Sequence, residues 1–280
     1  MKYLFVSLLL ITSNLKAQTI LNFDKRFVEC EDKWVVFNKR DTSQTYAYGF
    51  IYIDAQAGLT FNYEGTFTIS PNGTFIPKKI DSASFKYRLT PNQVKVAIIP
   101  ETKFKELQIS EKPEWLKYYE TDTTSIERLY RWGFLYNSWD ECTKALTYLE
   151  KAEKINPQFE GLNTELAYAY NALEQYQKAI DILNATANSN TMGWYFYKEL
   201  SYAEMNLGQL DKASDACKKG IEATNDKQMK SEIAYNIAYQ YYKRKEKDNF
   251  KYWADETKKW ATPNDRFMNG ITAMEGDLYK

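Results

Sequence analysis

The fold is decided by residues 131–157, which read RWGFLYNSWDECTKALTYLEKAEKINP. Apolar residues recur every three to four positions through this stretch, a spacing typical of amphipathic helices. Trp132 and Gly133 form a bulky–small pair, and Ala145 follows Gly133 after twelve residues. Pro157 cannot continue a helix and marks the end of the pattern. The stretch therefore predicts two helices that pack closely where the small residues meet.

The pattern returns twice at an interval of 34 residues. Ala145, Ala179 and Ala213 each follow a lysine. Three further sets of positions keep this register: the bulky residues Trp132, Leu166 and Leu200, the small residues Gly133, Ala167 and Ser201, and the residues four after each alanine, Leu149, Leu183 and Cys217. A fixed period of this length predicts an array of helical pairs, each burying its apolar face against the next. We interpret all these positions as core.

The repeat resembles a known family. Its bulky–small pair, its tyrosine three residues later (Tyr136, Tyr170), its alanine in the second helix and its closing proline resemble the tetratricopeptide repeat (TPR) family. The resemblance covers residues 123–260, with three regular units and a degenerate fourth. The third unit departs from the pattern at Glu204 and Asn225, where tyrosine and proline are expected. The fourth unit follows at 37 rather than 34 residues, which predicts a longer loop before it.

The earlier part of the chain has a period of two instead. Val, Ile, Phe, Tyr and Thr dominate short runs separated by turn residues, as in half-buried strands. The predicted strands cover residues 26–30, 33–38, 46–53, 60–70, 74–76, 84–89 and 93–99. We therefore predict an α+β chain in two domains. An antiparallel β domain over 18–112, a sandwich or small barrel, is followed by a linker over 113–122, a TPR α-solenoid over 123–263 and a capping helix over 264–280.

The first seventeen residues predict export. Lys2 precedes a nine-residue apolar run over 3–11, and a polar stretch then ends at Ala17. These features resemble a secretory signal peptide over residues 1–17, and the run is about half the length of a membrane span. We expect an exported bacterial protein that is extracytoplasmic, periplasmic or secreted, with no membrane span in the mature chain.

Composition excludes several functional classes. The chain has 37 basic and 37 acidic side chains, so no basic excess points to nucleic acid. It has no histidine, and its 11 glycines are too scattered for a phosphate-binding loop or a nucleophile elbow. No cofactor, metal or catalytic residue is therefore assigned. We expect Cys30, Cys142 and Cys217 to be buried free thiols, because an odd number cannot pair completely.

The TPR resemblance implies a concave groove lined by the first helix of each unit. Glu127 and Thr164 belong to this lining. The proposed protein- or peptide-binding residues are Tyr130, Phe134, Asn137, Tyr168, Asn171, Tyr195, Lys198, Tyr202, Met205 and Tyr239. Phe134, Tyr168 and Tyr202 occupy one place in successive units and form an aromatic ladder, which Tyr239 is expected to extend. Asn137 and Asn171 form an amide ladder. The alternative is that these aromatic rings pack against each other or against the β domain.

These patterns favour a non-catalytic exported scaffold or adaptor over an enzyme. Its partner would be a protein or peptide in the cell envelope or outside the cell. A groove that clamps a carboxylate is disfavoured, because Glu165 and Glu199 stand where basic side chains are needed. Two alternatives remain open for the β domain. One is a hydrolase using carboxylates or a Ser–Lys pair. The other is a glycan-binding module, with stacking platforms at Trp34 and at Tyr48, Tyr52 or Tyr63.

Overall fold

A computed structural model describes residues 21–80, 85–186 and 192–280. The expected signal peptide, residues 1–17, lies outside the described residues. The chain divides into two compact units, the first ending at Glu120 and the second beginning at Thr121. None of the helices in the described ranges is long and apolar enough to cross a bilayer.

The first unit contains one antiparallel sheet of six strands. The strands are β1 (Lys33–Phe37), β2 (Tyr46–Asp54), β3 (Gly58–Ile69), β4 (Phe75–Lys79), β5 (Phe85–Arg88) and β6 (Val96–Ile98). They are ordered β4-β3-β2-β1-β6, and β5 pairs with the first part of β3. β3 is long enough to hold β5 along Thr60–Tyr63 and β4 along Gly65–Ile69. The antiparallel prediction is confirmed.

Short helical segments cover this sheet. Trp34 and Phe50 belong to one buried cluster with Leu107 of α1 (Phe104–Leu107) and Leu116 of a 3-10 helix at Glu114–Tyr118. A second 3-10 helix, Phe27–Cys30, packs against β1 and β2. The described strands thus form one open sheet, where a sandwich or barrel was predicted. The difference arises because helical turns bury the apolar side chains that would otherwise require a second sheet.

Two segments of the first unit differ from their predicted state. Residues 26–30 are a 3-10 helix rather than a strand, and Phe27, Val28 and Cys30 are buried from it. In residues 113–122, predicted as a linker, the Trp115 ring lies edge-on to Tyr52 with ring centroids 5.1 Å apart. A run of alternating or clustered apolar residues is compatible with either state when the segment is this short.

The second unit consists of helices. They are α2 (Ile126–Ser138), α3 (Cys142–Ile155), α4 (Leu162–Ala172), α5 (Tyr176–Asn184), α6 (Trp194–Asn206), α7 (Leu210–Glu222), α8 (Lys227–Lys243), α9 (Lys247–Trp260) and α10 (Arg266–Leu278). They pack as four pairs, α2 with α3, α4 with α5, α6 with α7 and α8 with α9, and α10 packs on α8 and α9. The first helices of successive pairs also contact each other, α2 with α4, α4 with α6 and α6 with α8.

The predicted small positions lie where the helices of a pair meet. Ala145, Ala179 and Ala213 have no exposed surface. A Cβ atom added to Gly133 would lie 2.4 Å from the Leu149 side chain, which is closer than real Cβ contacts allow. The close neighbour of the first small residue is therefore the leucine four positions after the alanine. Cys30, Cys142 and Cys217 are free and buried, as expected.

The fourth pair corrects one prediction. The three additional residues lie in α8, which has 17 residues against 13 in α6, and not in a longer loop before it. α8 begins in the 34-residue register, so Ile233 corresponds to Glu199 and Asn236 to Tyr202. Tyr239 therefore continues the positions of Asn171 and Met205 rather than the aromatic ladder.

Candidate functional site

The predicted binding residues lie on α2, α4, α6 and α8, and we call their shared surface the first-helix face. Phe134, Tyr202 and Tyr239 are between 43% and 50% exposed on it. Tyr168 is half-buried, while Asn137, Asn171 and Met205 are buried. The aromatic ladder is therefore accessible at Phe134 and Tyr202, and its fourth position is held by Asn236.

The amide ladder has a different use from the predicted one. Asn137 Nδ2 donates to the backbone oxygen of Glu165 and to Glu165 Oε2, both at 2.9 Å. Asn171 Nδ2 makes the same two bonds to Glu199, again at 2.9 Å. Each asparagine thus fastens one first helix to the next and does not present its NH₂ group to a partner. The Oδ1 atoms of Asn137 and Asn171 are buried without a hydrogen-bond partner among the described residues.

Burial controls the acidity of the two glutamates. It raises the pKa of Glu165 to about 7, against the hydrogen bond from Asn137, and the charge of Glu199 raises it further. Burial also raises the pKa of Glu199, while the hydrogen bond from Asn171 and the charge of Lys198 lower it. Each carboxyl group is therefore held by a neutral amide where its ionised form is costly.

The third joint between first helices is apolar. Met205 and Ile233 occupy the places of the asparagine and the glutamate, 34 residues after Asn171 and Glu199. Both side chains are buried in one hydrophobic cluster with Ala234 and Ile237. The polar pair is thus replaced as a pair.

A cavity of about 280 Å³ lies between α4, α6 and α8. It brings together five of the predicted binding residues, namely Tyr168, Asn171, Lys198, Tyr202 and Met205. Glu199, Ile233 and Asn236 also line it, and none of these was among the predicted binding residues. The 34-residue register, once extended through α8, is the signal that identifies the last two.

The lysine of this cavity is already paired. Lys198 Nζ lies 2.6 Å from Glu232 Oε1, and Arg266 approaches the other oxygen of Glu232 at 3.9 Å. Sequence analysis treated Lys198 as the lone basic group of the groove. In the structure its charge is largely compensated by an acid one unit further along the chain.

Tyr130 and Tyr195 partly follow the alternative interpretation of aromatic packing. The Tyr130 ring lies 5.2 Å from the Phe159 ring, and its hydroxyl is 2.6 Å from where a Cβ atom of Gly161 would be. Gly161 has φ +79°, so the start of α4 needs glycine for both space and backbone conformation. Tyr195 packs at 5.7 Å from Trp194, and burial raises the pKa of its hydroxyl.

The proposed glycan platforms of the first unit are mostly inaccessible. Trp34, Tyr48 and Tyr52 are at most 3% exposed. Trp34 Nε1 donates to the backbone oxygen of Ser110 at 2.8 Å, which fixes the indole in the core. These three rings therefore cannot stack on a sugar. Tyr63 is partly buried.

The packed helical pairs, their 34-residue period and their buried small residues together give the second unit a TPR-like fold. No protein-family model matches the sequence, and no curated protein matches it. Among solved structures, MamA from Desulfovibrio magneticus RS-1 is 18% identical, with 63% of this chain and 86% of that chain covered and a TM-score of 0.42. The Pseudomonas aeruginosa pilF protein is 12% identical, with 56% of this chain and 74% of that chain covered and a TM-score of 0.44. At these values the likenesses indicate neither activity nor partner.

Proposed function

We propose that the protein is a non-catalytic scaffold or adaptor that binds a protein or peptide through the first-helix face. The observation that carries this proposal is the cavity of about 280 Å³ between α4, α6 and α8, which gathers five of the ten predicted binding residues. Phe134 and Tyr202 add exposed rings on the same series of first helices. Aromatic anchors seated beside a cavity are the features that supply most of the affinity in protein interfaces.

The polar pairs support the proposal by making the face rigid. The bonds from Asn137 to Glu165 and from Asn171 to Glu199 set the spacing of α2, α4 and α6 before any partner arrives. A preformed surface loses less conformational entropy on binding than a flexible one. The two carboxyl groups thus have a structural use that requires no reaction.

We also propose that the chain is exported and meets its partner in the cell envelope or outside the cell. The support is the sequence of residues 1–17 alone, in which Lys2 precedes the apolar run. Expression of the full chain with a C-terminal tag, followed by fractionation and N-terminal sequencing, tests this. A tagged protein that stays in the cytoplasm and retains Met1 would contradict it.

The binding proposal is tested by crosslinking and pull-down from native envelopes. The variant Phe134→Ala/Tyr168→Ala/Tyr202→Ala removes the three rings of the ladder. The matched control, Phe85→Ala/Tyr118→Ala/Tyr252→Ala, removes three rings elsewhere that are 46%, 77% and 50% exposed. We expect the ladder variant to lose partners that the wild type and the control both retain. Recovery of the same partners in equal amounts by all three proteins would overturn the proposal.

A further inference from the structure

We infer that the cavity between α4, α6 and α8 binds a positively charged side chain, an arginine or a lysine of the partner. This inference rests on the proposed function, since it names the chemistry that the same site recognises. It concerns one end of the first-helix face, where Tyr168 and Tyr202 flank the Asn171–Glu199 pair.

Hydrogen-bond acceptors in the cavity lack donors. Asn171 is 3% exposed, and its Oδ1 has no hydrogen-bond partner among the described residues. Glu199 is 6% exposed, and its Oε2 accepts from the neutral amide of Asn171. A ligand that carries donors and no acceptors complements this set, which describes a guanidinium or an ammonium group.

The charge of the cavity favours the same ligand. Lys198 and Glu199 are the charged residues in its lining, and Lys198 forms its ion pair with Glu232 at 2.6 Å. Glu199 is the charge that remains for a ligand. Burial raises the pKa of Glu199, and a bound cation would favour the ionised carboxylate.

The remaining walls suit the stem of such a side chain. Tyr202, Met205 and Ile233 provide an apolar surface for its methylene groups, and the rings of Tyr168 and Tyr202 can face its charge. A cavity of about 280 Å³ is near the lower limit of small-molecule pockets, roughly 300 Å³, so it fits one side chain of a longer segment.

Two other occupants are less compatible with these walls. An acidic side chain would place its charge beside Glu199 and bring no donor to Asn171 Oδ1. A purely apolar side chain would leave that oxygen unpaired as it excludes water, which costs free energy.

The test presents an array of random nine-residue peptides to the purified full chain at pH 8. We expect arginine and lysine to be enriched several-fold among peptides bound by the wild type. The variant Glu199→Gln keeps an acceptor for Asn171 but removes the charge, and should abolish the enrichment. The matched control Glu165→Gln changes the equivalent glutamate outside the cavity lining, and should preserve it.

A bound peptide then separates charge from size. Replacing its arginine by citrulline, a neutral analogue, should weaken binding to the wild type about 10-fold or more, since charge-assisted hydrogen bonds are lost. Equal binding of both peptides, or an array enriched in acidic or uncharged segments, overturns the inference and leaves the proposed function standing. An array with no binding above background overturns both. A separate lysine-containing peptide tells which cation is preferred.

Discussion

The joint between α4 and α6 and the joint between α6 and α8 use the same repeat positions with opposite chemistry. The first holds Asn171 and Glu199 in a hydrogen-bonded pair, and the second holds Met205 and Ile233 in a hydrophobic cluster. Both joints are buried, so neither position is free to vary alone. The comparison teaches that the repeat preserves satisfied contacts between first helices rather than particular residues.

The largest effect is expected when one member of the polar pair is changed. Asn171→Met removes the amide that holds the Glu199 carboxyl group, which stays buried without its donor. We expect a loss of about 2–4 kcal/mol in the free energy of unfolding. Asn171→Met/Glu199→Ile, which copies the apolar joint, should recover most of that loss. Urea unfolding of the full chain, followed by helical circular dichroism, measures both.

Asn206→Met is the control for this pair. Asn206 is an exposed asparagine on α6 whose Nδ2 donates to the backbone oxygen of Tyr202 at 2.8 Å. Its replacement should change the free energy of unfolding by about 0.5 kcal/mol or less. If the double variant is no more stable than Asn171→Met, the two joints are not interchangeable and the comparison fails.

A second prediction compares the packing within and beside these joints. Gly133→Ala places a Cβ atom 2.4 Å from Leu149, whereas Gly220→Ala places one 3.2 Å from Tyr197 and 3.3 Å from Ile233 at the apolar joint. We expect Gly133→Ala to cost about 1–3 kcal/mol by overpacking. Gly220→Ala should change stability by less than about 1 kcal/mol, because alanine also favours the helix. Thermal unfolding checks the order, and a larger loss for Gly220→Ala would contradict it.

A third prediction uses pH to separate polar from apolar joints. The pKa of Glu165 is raised from 4.5 to about 7 in the folded chain, so the folded state binds the proton more tightly than the unfolded state. The stability that this provides is complete below pH 4.5 and is lost as the pH rises through 7. Glu165→Gln should make the protein about 1–3 kcal/mol less sensitive to this rise.

The pH dependence will not disappear in that variant. Burial also raises the pKa of Glu204 to about 7, and it raises that of Glu199. Urea unfolding at several pH values between 4.5 and 8 measures the slope. A wild type whose stability increases over this range, with no change in Glu165→Gln, would show that the polar joints are not strained by ionisation.

The smallest effect is expected at the exposed rings on the same helices. Phe134→Ala and Tyr202→Ala remove side chains that are 50% and 44% exposed. Each should cost less than about 1 kcal/mol in the free energy of unfolding. The measurement is the same unfolding experiment. A loss as large as that of Asn171→Met would show that these rings are structural, and the binding proposal would lose its anchors.

The helical pairs could be predicted because their signal is a count. Ala145, Ala179 and Ala213 fix the register, and the small residues must face the partner helix. The fate of Asn137 could not be predicted from its place alone, since an amide on the first-helix face can point to solvent or to the next helix. The paired recurrence of Asn137 with Glu165 and of Asn171 with Glu199, each 28 residues apart, was the signal available.

Two other differences have similar physical causes. The 37-residue spacing was counted between second helices, which cannot distinguish a longer loop from the longer α8. In the first unit, the alternation of Trp34 and Val36 predicts a strand but not what covers it. Short helical turns such as Phe27–Cys30 carry no periodicity long enough to be read from the chain.

The three buried thiols make the molecule convenient for site-specific labelling. Burial raises the pKa of Cys30 and of Cys217 to about 12, and it also raises that of Cys142. Maleimide reagents attack thiolates that solvent can reach, so the native cysteines should react slowly. A single added thiol, in Phe134→Cys or Tyr202→Cys, can therefore carry a fluorophore or spin label to the first-helix face without first removing the others.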